Sequence, residues 1–238
     1  MMKKLLFLSF IIWHLYGYEN LVPKQDKRNM TTSVIVPCVA RHFFWLSGLL
    51  ESYQNQTVRP DEIVISLSEV EKLNSREIDK LETGLWDFKL KVLRNNGVII
   101  DGENRTIAMD NSTGDILVFS DADDLVHPQR IEIVKYFFEN YEVDHIMHCY
   151  AVRRDGITPI NIDTIPVWRF GSLRDVLNTG AYITCGSPCF LRKIGERIKW
   201  HATQDVEYNN RVYQLYRNNI VLPLNLILYR VHLSSHGA

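Results

Sequence analysis

Asp115-Ile116-Leu117-Val118-Phe119-Ser120-Asp121-Ala122-Asp123-Asp124 is the stretch on which the reading of the fold turns. Its first half is an uninterrupted apolar run, the composition of a strand covered on both faces in an α/β protein. Its second half sets three carboxylates at the end of that strand. Buried carboxylates are costly without a compensating charge, and the carboxyl edge of an open α/β sheet is where such folds bind ligands. A hard divalent cation is one compensation, because Mg2+ and Mn2+ take carboxylate oxygens and fill their other positions with water and substrate phosphates. A solvated acidic turn meeting the dipole of the next helix is another. The segment alone leaves both open. Two rival metal readings fail. An EF-hand loop starting at Asp121 needs glycine at its sixth position, where Val126 stands. An aspartyl phosphatase motif, Asp-x-Asp-x-Thr, meets Leu125 in place of the threonine.

Upstream, Ser33-Val34-Ile35-Val36-Pro37 is a short β-branched run, and Phe43 to Gln54 carries apolar residues at helical spacing. Glu62 to Ile65 predicts a second strand, Ser75 to Leu85 a helix opened by a Ser-x-x-Asp-like cap, and Lys89 to Leu93 a third strand. Gly102 to Asp110 predicts a short helix ended by the Asn111–Gly114 turn. Downstream, Pro128 to Tyr141 reads as a helix with proline in its first turn, and His145 to Val152 as a strand. A loop to Phe170, a short helix over Ser172–Leu177, an apolar patch Ile183–Leu191, a helix over Thr203–Tyr216 and a strand over Ile220–Tyr229 complete the chain. Alternating strands and helices predict a doubly wound α/β fold. At 238 residues there is room for one such domain.

The bulk properties are those of a globular protein, with 46% hydrophobic and 23% charged residues. Lys plus Arg (27) nearly balances Asp plus Glu (28), which speaks against nucleic acid as a partner. Met1-Met2-Lys3-Lys4 followed by the apolar run Leu5 to Trp13 and then Gly17 fits a secretory signal peptide or short membrane-proximal segment over residues 1–17. The run is shorter than the roughly 20 apolar residues of a spanning helix. The expected location is the secretory pathway or a membrane surface, the alternative being a cytoplasmic protein with an apolar first element. Residues 18–32 read as a polar linker. Asn29, Asn55, Asn104 and Asn111 head Asn-x-Ser/Thr sequons. Cys38, Cys149, Cys185 and Cys189 are too few for a disulfide scaffold and lack zinc-site spacing, so free buried thiols are expected.

Beyond these readings, residues 33–235 resemble the GT-A glycosyltransferases, in particular the inverting family 2. Ser33 to Pro37 looks like that family's opening strand, and Leu49-Leu50-Glu51-Ser52 with Asn55-Gln56-Thr57 like its first helix. Gly102-Glu103-Asn104-Arg105 is similar to the helix start before the acidic motif, and Thr113-Gly114-Asp115 with Asp121-Ala122-Asp123 resembles the Asp-x-Asp signature. Gln204-Asp205 resembles a Glu-Asp pair near the acceptor site, and Tyr229-Arg230-Val231-His232 a Tyr-Arg-x-His ending.

The resemblance implies a single GT-A domain over residues 33–238, an α/β/α sandwich around a mostly parallel sheet. Residues 33–125 would form the donor half and 126–238 the acceptor half. The implied activity is transfer of a sugar from a nucleotide diphosphate, with a UDP-sugar favoured, to an acceptor hydroxyl on an unidentified glycan, lipid or protein. Mn2+ or Mg2+ is the implied cofactor. Asp123 and His232 are the implied metal ligands, and Asp205 the catalytic base. Pro37, Ser66, Arg105, Asp121 and Ala122 are implied to hold the donor, and Gly186 and Ser187 to line the acceptor pocket. Ser66-Leu67-Ser68-Glu69 departs from the family's Asp-Asp-Gly-Ser stretch, which puts the base in question, and Gln204 replaces the usual glutamate. The alternative is a catalytically weak or non-enzymatic sugar-nucleotide binder of the same fold. A nucleotidyltransferase would want a glycine-rich loop after the first strand, and Cys38-Val39-Ala40-Arg41 is not one.

Overall fold

The computed structural model describes residues 21–152, 158–200 and 205–230. The strands are β1 (Thr32–Val39), β2 (Glu62–Ser68), β3 (Lys89–Arg94), β4 (Ile116–Phe119), β5 (Leu125–Val126), β6 (His145–Ala151), β7 (Trp168–Arg169), β8 (Cys189–Leu191) and β9 (Asn219–Leu228). The α-helices are α1 (Leu46–Gln54), α2 (Ser75–Glu82), α3 (Asp101–Asp110), α4 (Arg130–Asn140), α5 (Leu173–Asn178), α6 (Arg192–Arg197) and α7 (Asp205–Leu215). One sheet runs in the order β3-β2-β1-β4-β8-β6-β9-β5, with β7 against β9. The long ladders β1/β2, β2/β3, β1/β4 and β6/β9 are parallel, and the antiparallel pairings are short. The expected mostly parallel α/β sheet is therefore present.

Successive side chains of a strand point to opposite faces, and β1 and β4 supply both faces with apolar groups. Val34, Val36, Ile116 and Val118 join the cluster containing Leu49, Leu50 and Tyr53. Ile35, Leu117 and Phe119 join Phe190, Trp200 and Tyr208 on the other side. In α1 the buried residues Leu46, Leu49, Leu50 and Tyr53 form a single stripe at i, i+3, i+4 and i+7. Full burial of each such side chain is worth about 1.5–3 kcal/mol.

Several local expectations shift. The helix expected from Phe43 divides into a 3-10 segment (Ala40–Trp45) and α1. The cap of α2 is Asn74, whose extended backbone lets its side chain accept from the Arg76 N–H at 3.0 Å, one residue before the expected serine. The stretch read as a loop up to Phe170 contains β7, and α6 follows directly on β8. Both additions are short and take their form from neighbours rather than from their own periodicity. Part of the expected linker lies against α4: Lys24 Nζ donates to the Phe138 carbonyl at 2.7 Å, and Met30 is buried. All four cysteines are free, with Cys185 half-buried and the others buried. Among the described residues no helix is long and apolar enough to cross a membrane.

Candidate active site

Strand order reverses at β1, which has β2 on one side and β4 on the other. The crevice beyond the carboxyl ends of β1 and β4 is therefore the topological switch point, where open α/β sheets bind ligands. β1 outruns β4: Ile35 pairs with Phe119, and β1 continues to Val39. The acidic turn starts at this step, anchored by the Ser120 N–H donating to the Ile35 carbonyl at 3.1 Å. β5 then turns back to pair with the end of β9. That pairing brings Arg230 over the turn, where its N–H donates to Asp124 Oδ1 at 3.1 Å and its guanidinium stacks 4.0 Å above the Trp45 ring.

Arg105 of α3 is the hub. Its Nη1 donates to Asp101 Oδ2 at 2.7 Å and lies 3.4 Å from Asp205 Oδ1, while its Nη2 donates to Asp121 Oδ1 at 2.8 Å. The guanidinium rests on Trp200, 4.9 Å from the ring centroid, and Trp200 is stacked on Tyr208 at 3.9 Å with an interplanar angle of 3°. Cation–π contact and a buried aromatic stack thus hold the cation from behind while carboxylates hold it in front. Desolvation opposes its charge, yet Asp121, Asp205 and Asp101 keep it firmly protonated.

Gly186 sits where these carboxylates converge. A Cβ there would lie 3.0 Å from Asp205 Oδ2, 3.2 Å from Asp121 Oδ2 and 3.5 Å from Arg105 Nη2. Hydrogen at this position gives the two aspartates room beside the loop. The sequence-expected donor residue Asp121, base Asp205, cation Arg105 and acceptor-side Gly186 therefore share one locus, assembled from α3, the β4 turn, the β8 approach and the first residue of α7.

One guanidinium cannot neutralise three carboxylates, and Asp123 and Asp124 add to the surplus. Burial first, then Asp205, Asp101 and Asp123 against the pull of Arg105, raise Asp121 above the usual carboxylate range. Burial and the charges of Asp121 and Asp123 raise Asp124 in the same direction. Asp123 Oδ2 lies 3.8 Å from His42 Nδ1 of the 3-10 segment. Among the described residues no group of three or more His, Cys, Asp or Glu side chains is arranged to hold a metal. The excess of carboxylate oxygens nevertheless suits a hard divalent ion that completes its shell with water and phosphate. His232 lies outside the described residues, as does Gln204.

Four other expected positions are buried. Pro37 pairs in register with Ser66, whose hydroxyl accepts from Asn95 Nδ2 at 3.0 Å. Ala122 is 2% exposed within the acidic turn. Ser187 is fully buried, its carbonyl accepting from Arg130 Nη2 at 3.2 Å. Asn104, head of one sequon, is buried with its amide donating to the Cys38 carbonyl at 3.1 Å, so it is closed to modification in the folded chain. Burial, and then the charge of Asp123, push the Cys38 thiol well above its ordinary value, which disfavours the thiolate form.

Sequence reasoning missed Trp200, His42, Asp101 and Arg130. Asp101 was legible as an i, i+4 partner of Arg105, and Arg130 as a charge on the apolar face of α4, four and seven residues before Val134 and Phe137. Trp200 and His42 have no local signal.

Comparison with known proteins gives a consistent frame. No curated protein matches the chain by sequence. S. aureus TarS 1-349 in complex with UDP-GlcNAc superposes with a TM-score of 0.67 at 16% identity, over 87% of this chain and 60% of that one. The mannosyltransferase PcManGT from Pyrobaculum calidifontis, in complex with GDP-Man and Mn2+, gives 0.61 at 15% identity, over 96% and 65%. Glucosyl-3-phosphoglycerate synthase from Mycobacterium tuberculosis, with Mn2+ and UDP, gives 0.59 at 14% identity, over 85% and 73%. The chain thus spans about three fifths of the TarS fragment, and at these identities the likeness is one of fold, the GT-A fold. The sequence profile of glycosyl transferase family 2 matches residues 33–197, from the first strand through the acidic turn to the end of α6. With most of its length under that profile, the chain belongs to glycosyl transferase family 2.

Proposed function

We propose that the protein is a glycosyltransferase that moves a sugar from a nucleotide-diphosphate donor to an acceptor hydroxyl, with inversion at the anomeric carbon and with a divalent cation. The observation that carries this reading is the convergence of Asp121, Asp205 and Arg105 around Gly186 at the switch point of the sheet. The complexes of the fold relatives with UDP-GlcNAc, UDP and GDP-Man support a nucleotide sugar as donor, and a UDP-sugar is the first to test.

In the proposed step the acceptor oxygen attacks the anomeric carbon as its proton passes to Asp205, and the bond from that carbon to the diphosphate oxygen breaks. A single in-line displacement of this kind inverts configuration. Arg105 Nη1 stands 3.4 Å from Asp205 Oδ1, beside the oxygen that would take the proton. Arg105 also ties Asp205 to Asp121, so the base keeps its place relative to the donor side. Asp123, with His232, would hold Mn2+ or Mg2+, which supplies charge stabilisation to the leaving diphosphate. Residues up to 125 contribute Asp121 and Asp123 and residues beyond contribute Gly186 and Asp205, in keeping with donor and acceptor halves. Residues 1–17 are read as a targeting segment that places the enzyme in the secretory pathway or at a membrane.

The test is a panel of nucleotide sugars offered to the purified protein with Mn2+, with Mg2+ and with chelator, beside Asp123→Ala. Cation-dependent release of a nucleoside diphosphate from one donor, lost in the variant, is expected. No release and no cation-dependent donor binding across the panel would sink the reading.

A further inference from the structure

Arg130, the first residue of α4, is fully buried, and among the described residues no carboxylate hydrogen-bonds to it, although its charge is felt by Asp124 of the acidic turn. It also sits at the helix terminus whose dipole disfavours a cation. Burying a guanidinium under these conditions is costly unless its hydrogen bonds are well met. Nη1 donates to Tyr53 Oη at 2.7 Å and Ser120 Oγ at 2.6 Å. Nη2 donates to the Phe119 carbonyl at 2.7 Å and the Ser187 carbonyl at 3.2 Å, and lies 3.2 Å from His148 Nε2. His148 accepts there as a neutral ring, with Nδ1 3.1 Å from the Cys149 carbonyl and burial holding its pKa low.

These acceptors are not scattered. Phe119 and Ser120 are the last two residues before Asp121, and Ser187 directly follows Gly186. The guanidinium therefore bridges the segment that carries the donor-side carboxylate to the segment packed against the catalytic base. The same two segments are also joined by the short β4/β8 ladder and, at its end, by the Phe119 N–H donating to the Pro188 carbonyl at 3.0 Å. A lysine has one donor centre and cannot span the two carbonyls and two hydroxyls that the planar fork reaches.

We propose that Arg130 is a positioning residue of the transfer reaction, clamping the end of β4 to the Gly186–Ser187 loop and so setting Asp121 against Asp205. The proposal rests on the glycosyltransferase reading for its effect on turnover, but its effect on the loop does not.

Two variants test it. Arg130→Lys is expected to lower kcat on the order of 100-fold, with KM for the nucleotide sugar within about threefold, measured below its melting temperature. Tyr53→Phe removes one acceptor and leaves the clamp whole, so it should lower the melting temperature while keeping kcat within about threefold. Unchanged kcat in Arg130→Lys, or equal losses in both variants, overturns the proposal. A crystal structure of Arg130→Lys separates this from failure of the function itself. A loop at 186–187 displaced relative to Asp121 supports the clamp even if no donor is turned over, and an unmoved loop refutes it. If Arg130→Lys yields no folded protein while Tyr53→Phe does, the residue is required for folding and the positioning role is rejected.

Discussion

Gly186 and Asp205 approach closely in the candidate site: a single methyl group at residue 186 would stand 3.0 Å from the Asp205 carboxylate. The approach links a loop to the first residue of a helix, and Asp121 lies on its other side at 3.2 Å from the same point. The absence of a side chain at residue 186 leaves the carboxylates room to meet around Arg105 without displacement.

Gly186→Ala should therefore push Asp205 or Asp121 by a few tenths of an ångström. Turnover is expected to fall about tenfold, less than the 100-fold cost of a full ångström of misplacement. The melting temperature should change little, because the neighbours are side chains. Steady-state kinetics beside a thermal melt checks both, and wild-type turnover would show that the close approach has no catalytic meaning.

Asp205→Asn keeps size and removes the base. Transfer should drop by about 10²–10⁴, while donor binding, measured by calorimetry with UDP and Mn2+, remains within a few-fold. Loss of donor binding in parallel with transfer would move Asp205 from acceptor activation to donor recognition.

Trp200 supports Arg105 from the interior and packs on Phe119 as well as Tyr208. Trp200→Ala should cost about 3–5 kcal/mol in urea unfolding. Trp200→Phe, which keeps an aromatic face for the cation, should retain most of the stability. Equal losses in the two would mean that the stack matters by volume and not by its face.

Two buried histidines set an acid limit. Burial, opposed by the Asn209 hydrogen bond and the charge of Asp144, holds His145 down at about 4 from an ordinary 6.5. The unfolded chain binds that proton below pH 6.5 and the folded chain only near pH 4, so stability is full above 6.5 and is lost as pH falls through this window. The loss is roughly 3 kcal/mol for His145, and His148, also depressed by burial, acts in the same direction. Urea unfolding at a series of pH values should show the decline. His145→Gln should flatten it, and an unchanged slope in that variant would exclude His145 as the cause.

Much of this was legible from local sequence. The apolar run before Asp121 announced a doubly covered strand, the carboxylates after it marked the ligand edge, and the stripe of Leu46, Leu49, Leu50 and Tyr53 announced a helix against the sheet. Such features depend on neighbours within one or two turns of chain, and period and composition report them directly. Asp121, Asp205 and Arg105 were each expected singly at the site through resemblance to family motifs, but their mutual distances were not.

What only the tertiary structure decided has the opposite character. β5 and β7 are two residues each and exist because β9 offers them a partner. Trp200 beneath Arg105, His42 beside Asp123 and Arg130 beneath the acidic turn join residues far apart in sequence or on different elements. The sequence by itself determined which segments are strands and helices, that they form an α/β sheet, and which chemistry its acidic turn could support. Which charges face one another was settled only on folding. Such pairings depend on distance in space, and distant segments reach it only when the sheet closes over its core.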